Sequence, residues 1–109
     1  MELSDPGLHE ASANFDLEHI GPFLTKLVGY VEGFEISDVA HIAGEAASLD
    51  VDSEQEWQYS VRVGGLQSPL RIRVFMDDIE APDLYIFAVE PLIAKVNEAM
   101  EEFFEESGP

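Results

Sequence analysis

The chain has 109 residues, 46% of them apolar, with 23 acidic residues against 5 basic ones and a formal charge of −18. That length suits one domain with its own core, and this apolar content argues against wholesale disorder. The charge argues against direct nucleic-acid binding, which depends on Lys and Arg neutralising phosphates, and against anionic membrane surfaces.

Cysteine is absent, which removes disulfides, iron–sulfur ligation and thiol nucleophiles from consideration. The opening Met1-Glu2-Leu3-Ser4-Asp5-Pro6-Gly7 lacks the basic and apolar regions of a signal peptide. The longest wholly apolar run, Leu84 to Val89, is far shorter than a membrane span. A cytoplasmic protein is the expectation.

Residues 1–13 hold little bulky apolar material beyond Leu3 and Leu8 and read as a flexible tail. The domain is expected over 14–106. Leu17, Ile20, Leu24, Leu27, Val28 and Val31 recur at helical spacing, with Asp16 as N-cap and Gly33 as terminator. Pro22 requires that this helix either bend there or begin there.

Residues 37–49 are ambiguous between helix and strand. Ile36, Val39, Ala40, Ala43 and Ala47 form a helical stripe that Ser37 can cap, while Gly44 weakens it. A short helix to about residue 46 is the preferred reading.

The period then changes to two. Leu49 and Val51 alternate with acids, Trp57, Tyr59, Val61 and Val63 with polar residues, and Leu70, Ile72, Val74 and Met76 with Arg71, Arg73 and Phe75. These are half-buried antiparallel strands, with turns at 52–55 and 64–69. Asp83 to Val89 is apolar on both faces, as a central strand is. Pro91 opens a last helix whose stripe is Leu92, Ile93, Val96, Ala99, Met100, Phe103 and Phe104. The order predicts an α+β fold: a three- to four-stranded antiparallel meander sheet with the N- and C-terminal helices packed on one face.

The acids gather in three places. Asp50, Asp52, Glu54 and Glu56 stand at every second position; on one continuous strand they would form a row at intervals of about 6.7 Å. The turn expected there breaks that row or wraps it around a hairpin. Asp77, Asp78, Glu80 and Asp83 occupy a loop stiffened by Pro82. Glu98, Glu101, Glu102, Glu105 and Glu106 crowd the end of the last helix, against its macrodipole and with like charges four apart. Arg62, Arg71 and Arg73 lie on the non-core side of two neighbouring strands, where they are expected to form an intramolecular charge ladder.

Tests for chemistry come back negative. Asp50-Val51-Asp52-Ser53-Glu54 opens like a calcium loop but has Gln55 at its sixth position and Val61 at its twelfth. His9, His19 and His41 form no paired ligand motif, and no nucleophile elbow or phosphate-cradling loop is present. No enzyme activity, metal or cofactor is expected.

The expected function is a small acidic binding protein that occludes a basic surface on a partner protein. Its most concrete form is an immunity or antitoxin-type inhibitor of a nucleic-acid-acting toxin, with carboxylates filling a cationic cleft. The partner surface is expected at Asp50, Asp52, Glu54, Glu56, Asp77, Asp78, Glu80, Asp83, Glu101, Glu102 and Glu105. Two alternatives stand beside it. One is an acidic, dimeric secretion or assembly chaperone that holds a client segment on a sheet edge or apolar patch; separately, Phe75, Tyr85 or Phe87 would line a binding patch if one sheet face is uncovered. The other is a regulator that mimics DNA. Oligomeric state is not legible.

Overall fold

The alternating stretches set the sheet. Trp57, Val61 and Val63 turn to one face of β2 (Glu54–Val63), and Leu70, Ile72 and Val74 to the same face of β3 (Leu66–Phe75), all buried. A two-residue loop, Gly64-Gly65, joins the strands with φ of 57° and 83°. Positive φ at both positions matches the right-handed twist of the flanking strands. β4 (Asp83–Ala88) pairs with β3 and buries Leu84, Ile86 and Ala88 on that face. Side chains such as Ile72 and Leu84, with no exposed surface, each contribute about 1.5–3 kcal/mol of burial.

The computed structural model describes residues 8–90 and 92–107. It shows a four-stranded antiparallel sheet of order β1-β4-β3-β2, where β1 is His9–Asn14, with α1 (Leu17–Val28), α2 (Ile36–Ala47) and α3 (Leu92–Ser107). β2, β3 and β4 form the expected meander, with the central place for β4. All three helices lie on the core face, α1 between α2 and α3. No helix among the described residues is long and apolar enough to cross a membrane.

α1 follows its expected stripe, and α3 does so except for exposed Phe104; α2 is a helix as preferred, but it buries Val39, Ile42 and Ala46 and leaves Ile36, Ala40 and Ala47 of the expected stripe exposed. α1 buries Ile20, Phe23, Leu24 and Leu27 and runs through Pro22, which faces solvent. Burial of that stripe offsets the backbone hydrogen bond lost at Pro22. Asp16 holds the N-cap position without a side-chain cap bond. α2 starts one residue before Ser37, where the Asp38 carboxylate accepts the Glu35 backbone N–H at 2.9 Å. α3 buries Leu92, Ile93, Val96, Ala99, Met100 and Phe103, while Phe104 stacks on Phe15 at 5.1 Å. Pro91, expected to open α3, lies outside the described residues, as do residues 1–7 of the expected tail.

Several expectations are corrected. Within the expected tail of 1–13, residues from His9 onward are strand. β1 pairs with β4 from His9↔Ala88 to Asn14↔Asp83. Its core-facing residues are only Ala11 and Ala13, so backbone pairing rather than bulky alternation carries it. α1 stops at Val28, with Gly29 as its cap, short of Gly33. Gly33 instead has φ 95°, and a Cβ there would come within 2.9 Å of the Ser60 carbonyl. It is glycine because the chain presses against β2 at that point. Leu49 and Val51 belong to no strand; Val51 is 48% exposed. The turn expected at 52–55 ends earlier, since β2 begins at Glu54. The turn expected at 64–69 is only Gly64-Gly65. Pro69 is tolerated inside β3 because the β4 pairing ends at Leu70↔Ala88.

Candidate functional site

The sheet register brings the first two acidic clusters to one end of the molecule. β2 starts, β3 ends and β4 starts there, through the row Glu54–Phe75–Asp83. The two preceding loops are stitched together by backbone. The Asp52 N–H donates to the Met76 carbonyl at 2.7 Å, and the Met76 N–H to the Ser53 carbonyl at 2.8 Å. This places the turn bearing Asp50 and Asp52 beside the loop bearing Asp77, Asp78 and Glu80. All five are exposed, whereas Asp83 is half-buried at the start of β4.

The turn joins α2 to β2 and is not a hairpin. Asp52 takes φ 70°, which breaks the alternation between Asp50 and Glu54. The regular four-carboxylate row that a phosphate mimic would need is therefore not formed.

Apolar side chains stand among these acids. Val51 is 48% exposed and Ile79 is 56% exposed. Single exposed aliphatic residues are ordinary on protein surfaces; here two of them stand on adjoining acidic loops. Ile79, lone in an acidic loop, was a signal available in the sequence that a charge count passes over.

The loop is held in shape locally. Asp78 Oδ1 accepts the Glu80 N–H at 2.9 Å, and the Asp78 carbonyl accepts the Ala81 N–H at 3.1 Å. The Glu80 carbonyl accepts the Leu17 N–H at 2.9 Å, and the Pro82 carbonyl the Phe15 N–H at 3.1 Å. Asn14 Nδ2 donates to the Ala81 carbonyl at 2.5 Å and to Asp83 Oδ1 at 3.2 Å. Beside this loop, the start of α1 and the end of α2 enclose a groove of about 660 Å³. Leu17, Ala43, Ala47 and Ile79 line it together with Asp16, Glu18 and Glu80. In the sequence Asp16 reads only as an N-cap and Ala43 and Ala47 only as part of a helical stripe, and nothing links them or Glu18 to the acidic loop.

Glu54 and Glu56 are placed differently. They lie on the sheet face away from the helices, where Glu56 opposes Arg73 and Gln58 opposes Arg71. Arg73 Nη2 reaches Glu56 Oε1 at 2.8 Å and Arg73 Nε reaches Glu54 at 3.8 Å, while Arg71 Nε lies 3.9 Å from Glu56. Burial pushes the Glu56 carboxyl up. The hydrogen bonds from Gln58 and Arg73, with the charges of Arg73 and Arg71, outweigh it and hold the group below the usual carboxylate range. The expected ladder thus forms at Arg71 and Arg73. Arg62 instead pairs through backbone with Glu32. The same face carries Phe75, Tyr85 and Phe87, all half-buried, with the Arg73 guanidinium 5.2 Å from the Phe87 ring centre. Trp57 and Tyr59 point into the core side, as expected, and Trp57 Nε1 donates to Glu45 at 2.9 Å.

The third cluster divides. Glu101 and Glu105 are exposed. Glu102 and Glu106 turn towards α1: Tyr30 donates its hydroxyl to Glu102, and Lys26 lies 3.4 Å from Glu102 and 3.2 Å from Glu106. The Tyr30 hydrogen bond, aided by Lys26, holds Glu102 below the usual range against the upward push of burial. The acids at this helix end therefore have local compensation that their spacing alone did not reveal.

Among the described residues, no three His, Asp or Glu side chains converge to hold a metal ion. No protein-family model, curated protein or solved structure matches the chain.

Proposed function

We propose that this chain is a binding protein whose acidic rim, Asp50, Asp52, Asp77, Asp78 and Glu80, occludes a basic surface on a partner protein in the cytoplasm. The most concrete form is an immunity or antitoxin-type inhibitor of a nucleic-acid-acting toxin. One observation carries the reading. Two loops distant in sequence are tied into a single exposed rim with Val51 and Ile79 between the carboxylates, and segments 48–54 and 76–83 contain no Lys or Arg to neutralise it. Such a rim steers a cationic partner and excludes anionic ones.

The test is capture of the partner with wild-type protein and with a variant in which Asp50, Asp52, Asp77 and Asp78 are lysine. The wild type is expected to retain a partner of basic pI at low salt and to lose most of it at about 0.5 M NaCl, where charges are screened beyond a few ångströms. The lysine variant is expected to retain none of that partner. Equal capture by the two proteins refutes the reading.

The chaperone reading draws on another surface, the uncovered sheet face around Phe75, Tyr85 and Phe87. It predicts client binding that Tyr85→Ser and Phe87→Ser weaken and that the lysine variant leaves unchanged.

A further inference from the structure

We propose that the groove between the start of α1, the end of α2 and loop 76–82 is the seat of one arginine or lysine side chain from the basic partner. This rests on the rim reading above and sharpens it from a charged surface to a pocket with a specific occupant.

The groove joins two kinds of lining. Leu17, Ala43, Ala47 and Ile79 supply an apolar floor and lip, and Asp16, Glu18 and Glu80 supply carboxylates at its margin. Arginine and lysine have the same division, an aliphatic stem below a charged head. A wholly apolar occupant would cover these carboxylates without pairing them, which is unfavourable. An acidic occupant would be repelled. At about 660 Å³ the open groove admits an arginine or lysine side chain with room to spare.

Two further features favour a cation. The last turn of α2, which ends beside the groove at Ala47, carries no basic residue to answer its partial negative charge. Among the described residues that touch the margin's carboxylates, His19 lies 3.7 Å from Asp16 and 3.9 Å from Glu18, and imidazole is not a permanent cation. The site is also preformed, because the Glu80 carbonyl is held by the Leu17 N–H and the Glu80 N–H by Asp78. Little ordering is left for an incoming side chain to induce.

The experiment uses the full ¹⁵N-labelled chain at low salt, titrated with acetyl-Ala-Ala-Arg-Ala-Ala-amide and with the same peptide carrying norleucine in place of arginine. The arginine peptide is expected to give saturable amide shifts at Leu17, Ala47, Ile79 and Glu80, and the norleucine peptide none. Ala47→Leu, at an exposed helix end, narrows the groove without altering charge and is expected to weaken those shifts. Glu80→Gln keeps the backbone bonds and is expected to weaken binding about two- to fivefold, as loss of one partly exposed ion pair does. Shifts confined to residues 50–52 and 77–78 and unaffected by Ala47→Leu overturn the groove while leaving the rim reading intact. Saturation by the norleucine peptide, or no saturable shift at all, also overturns the groove. The rim reading is decided separately, by capture with the lysine variant.

Discussion

Glu56 was expected on the partner surface, yet it is bound to Arg73, and a double-mutant cycle measures which role it has. Arg73 Nη2 and Nε both reach Glu56 Oε1, at 2.8 and 3.2 Å. Two unit charges at that shorter separation attract by about 1.5 kcal/mol at the dielectric of water. The side chains are 37% and 24% exposed, so solvent screening and the entropy of holding two long side chains discount this to about 1 kcal/mol. Arg73→Ala also loses its contact with the Phe87 ring, about 0.5 kcal/mol more. The expected losses are about 1 kcal/mol for Glu56→Ala, about 1.5 for Arg73→Ala and a coupling near 1 between them. Urea denaturation of the wild type, both single variants and the double variant supplies all four values. A coupling below about 0.3 kcal/mol, the level at which sites behave as independent, refutes the ladder. Glu56 then counts as a free carboxylate available to a partner.

Three further outcomes follow from the same geometry. Gly33→Ala, with φ 95° and the Ser60 carbonyl in the way, is expected to lose about 2 kcal/mol or more, whereas Gly44→Ala, with open space around it, is expected to gain about 0.5–1; thermal unfolding that ranks them the other way refutes the close approach at Gly33. The carboxyls of Glu45, Glu56 and Glu102 are depressed, Glu45 chiefly by the Trp57 hydrogen bond, so their stabilisation is present above the unfolded value of about 4.3 and is lost as pH falls through the lower folded values. Lys26 is raised chiefly by its bond to Glu106 and Tyr30 chiefly by its bond to Glu102, so their contribution is present below about pH 10 and fades as pH rises through the raised folded values; a urea midpoint near neutral pH that Glu102→Gln leaves unchanged counts against the cluster. Finally, with a formal charge of −18, NaCl at about 0.2 M is expected to raise Tm relative to about 0.02 M by screening self-repulsion; a fall in Tm would mean that the few ion pairs outweigh the excess.

What the sequence revealed follows from which interactions leave a local signature. The strands carrying Trp57, Val61, Ile72 and Val74 are written as a period of two, because each second residue is buried. α1 and α3 are written as stripes for the same reason, whereas the alanines of α2 mark a face offset from its buried Val39, Ile42 and Ala46. β1 leaves no such trace, since Ala11 and Ala13 are small and its pairing with β4 is made by backbone. The end of α2 and the turn after it were blurred because Leu49 and Val51 mimic alternation, while the left-handed residue that ends it is Asp52 rather than glycine. At the site, residues 50–52 and 77–80 were identifiable as acidic loops, but their meeting depends on the β2–β3 register, which no single segment encodes. The groove was still less legible: Leu17, Ala43 and Ile79 come from three separate elements and are brought together only by packing.

Cation placement explains why the rim stays negative when the rest of the surface is partly balanced. The chain has five basic residues. Lys26 is engaged by Glu102 and Glu106 on the helical layer, and Arg71 and Arg73 by the glutamates of β2 on the open sheet face. Arg62 lies next to the Gly64-Gly65 loop, and Lys95 is in the first turn of α3 just beyond the Ala88 end of β4. Both therefore belong to the end of the sheet opposite the rim, since β2 ends and β4 ends where β3 begins. Arg73, though near the rim end, is taken up by Glu54 and Glu56 on the open sheet face, so none of these cations is placed within the acidic loops themselves. Moving one cation back tests whether that separation matters. Ser53→Lys, between Asp52 and Glu54 in a turn whose backbone bonds need no serine hydroxyl, is expected to leave stability within about 0.5 kcal/mol while slowing association with the proposed basic partner. Association that is unchanged at low salt would show that charge separation along the sheet has no part in recognition.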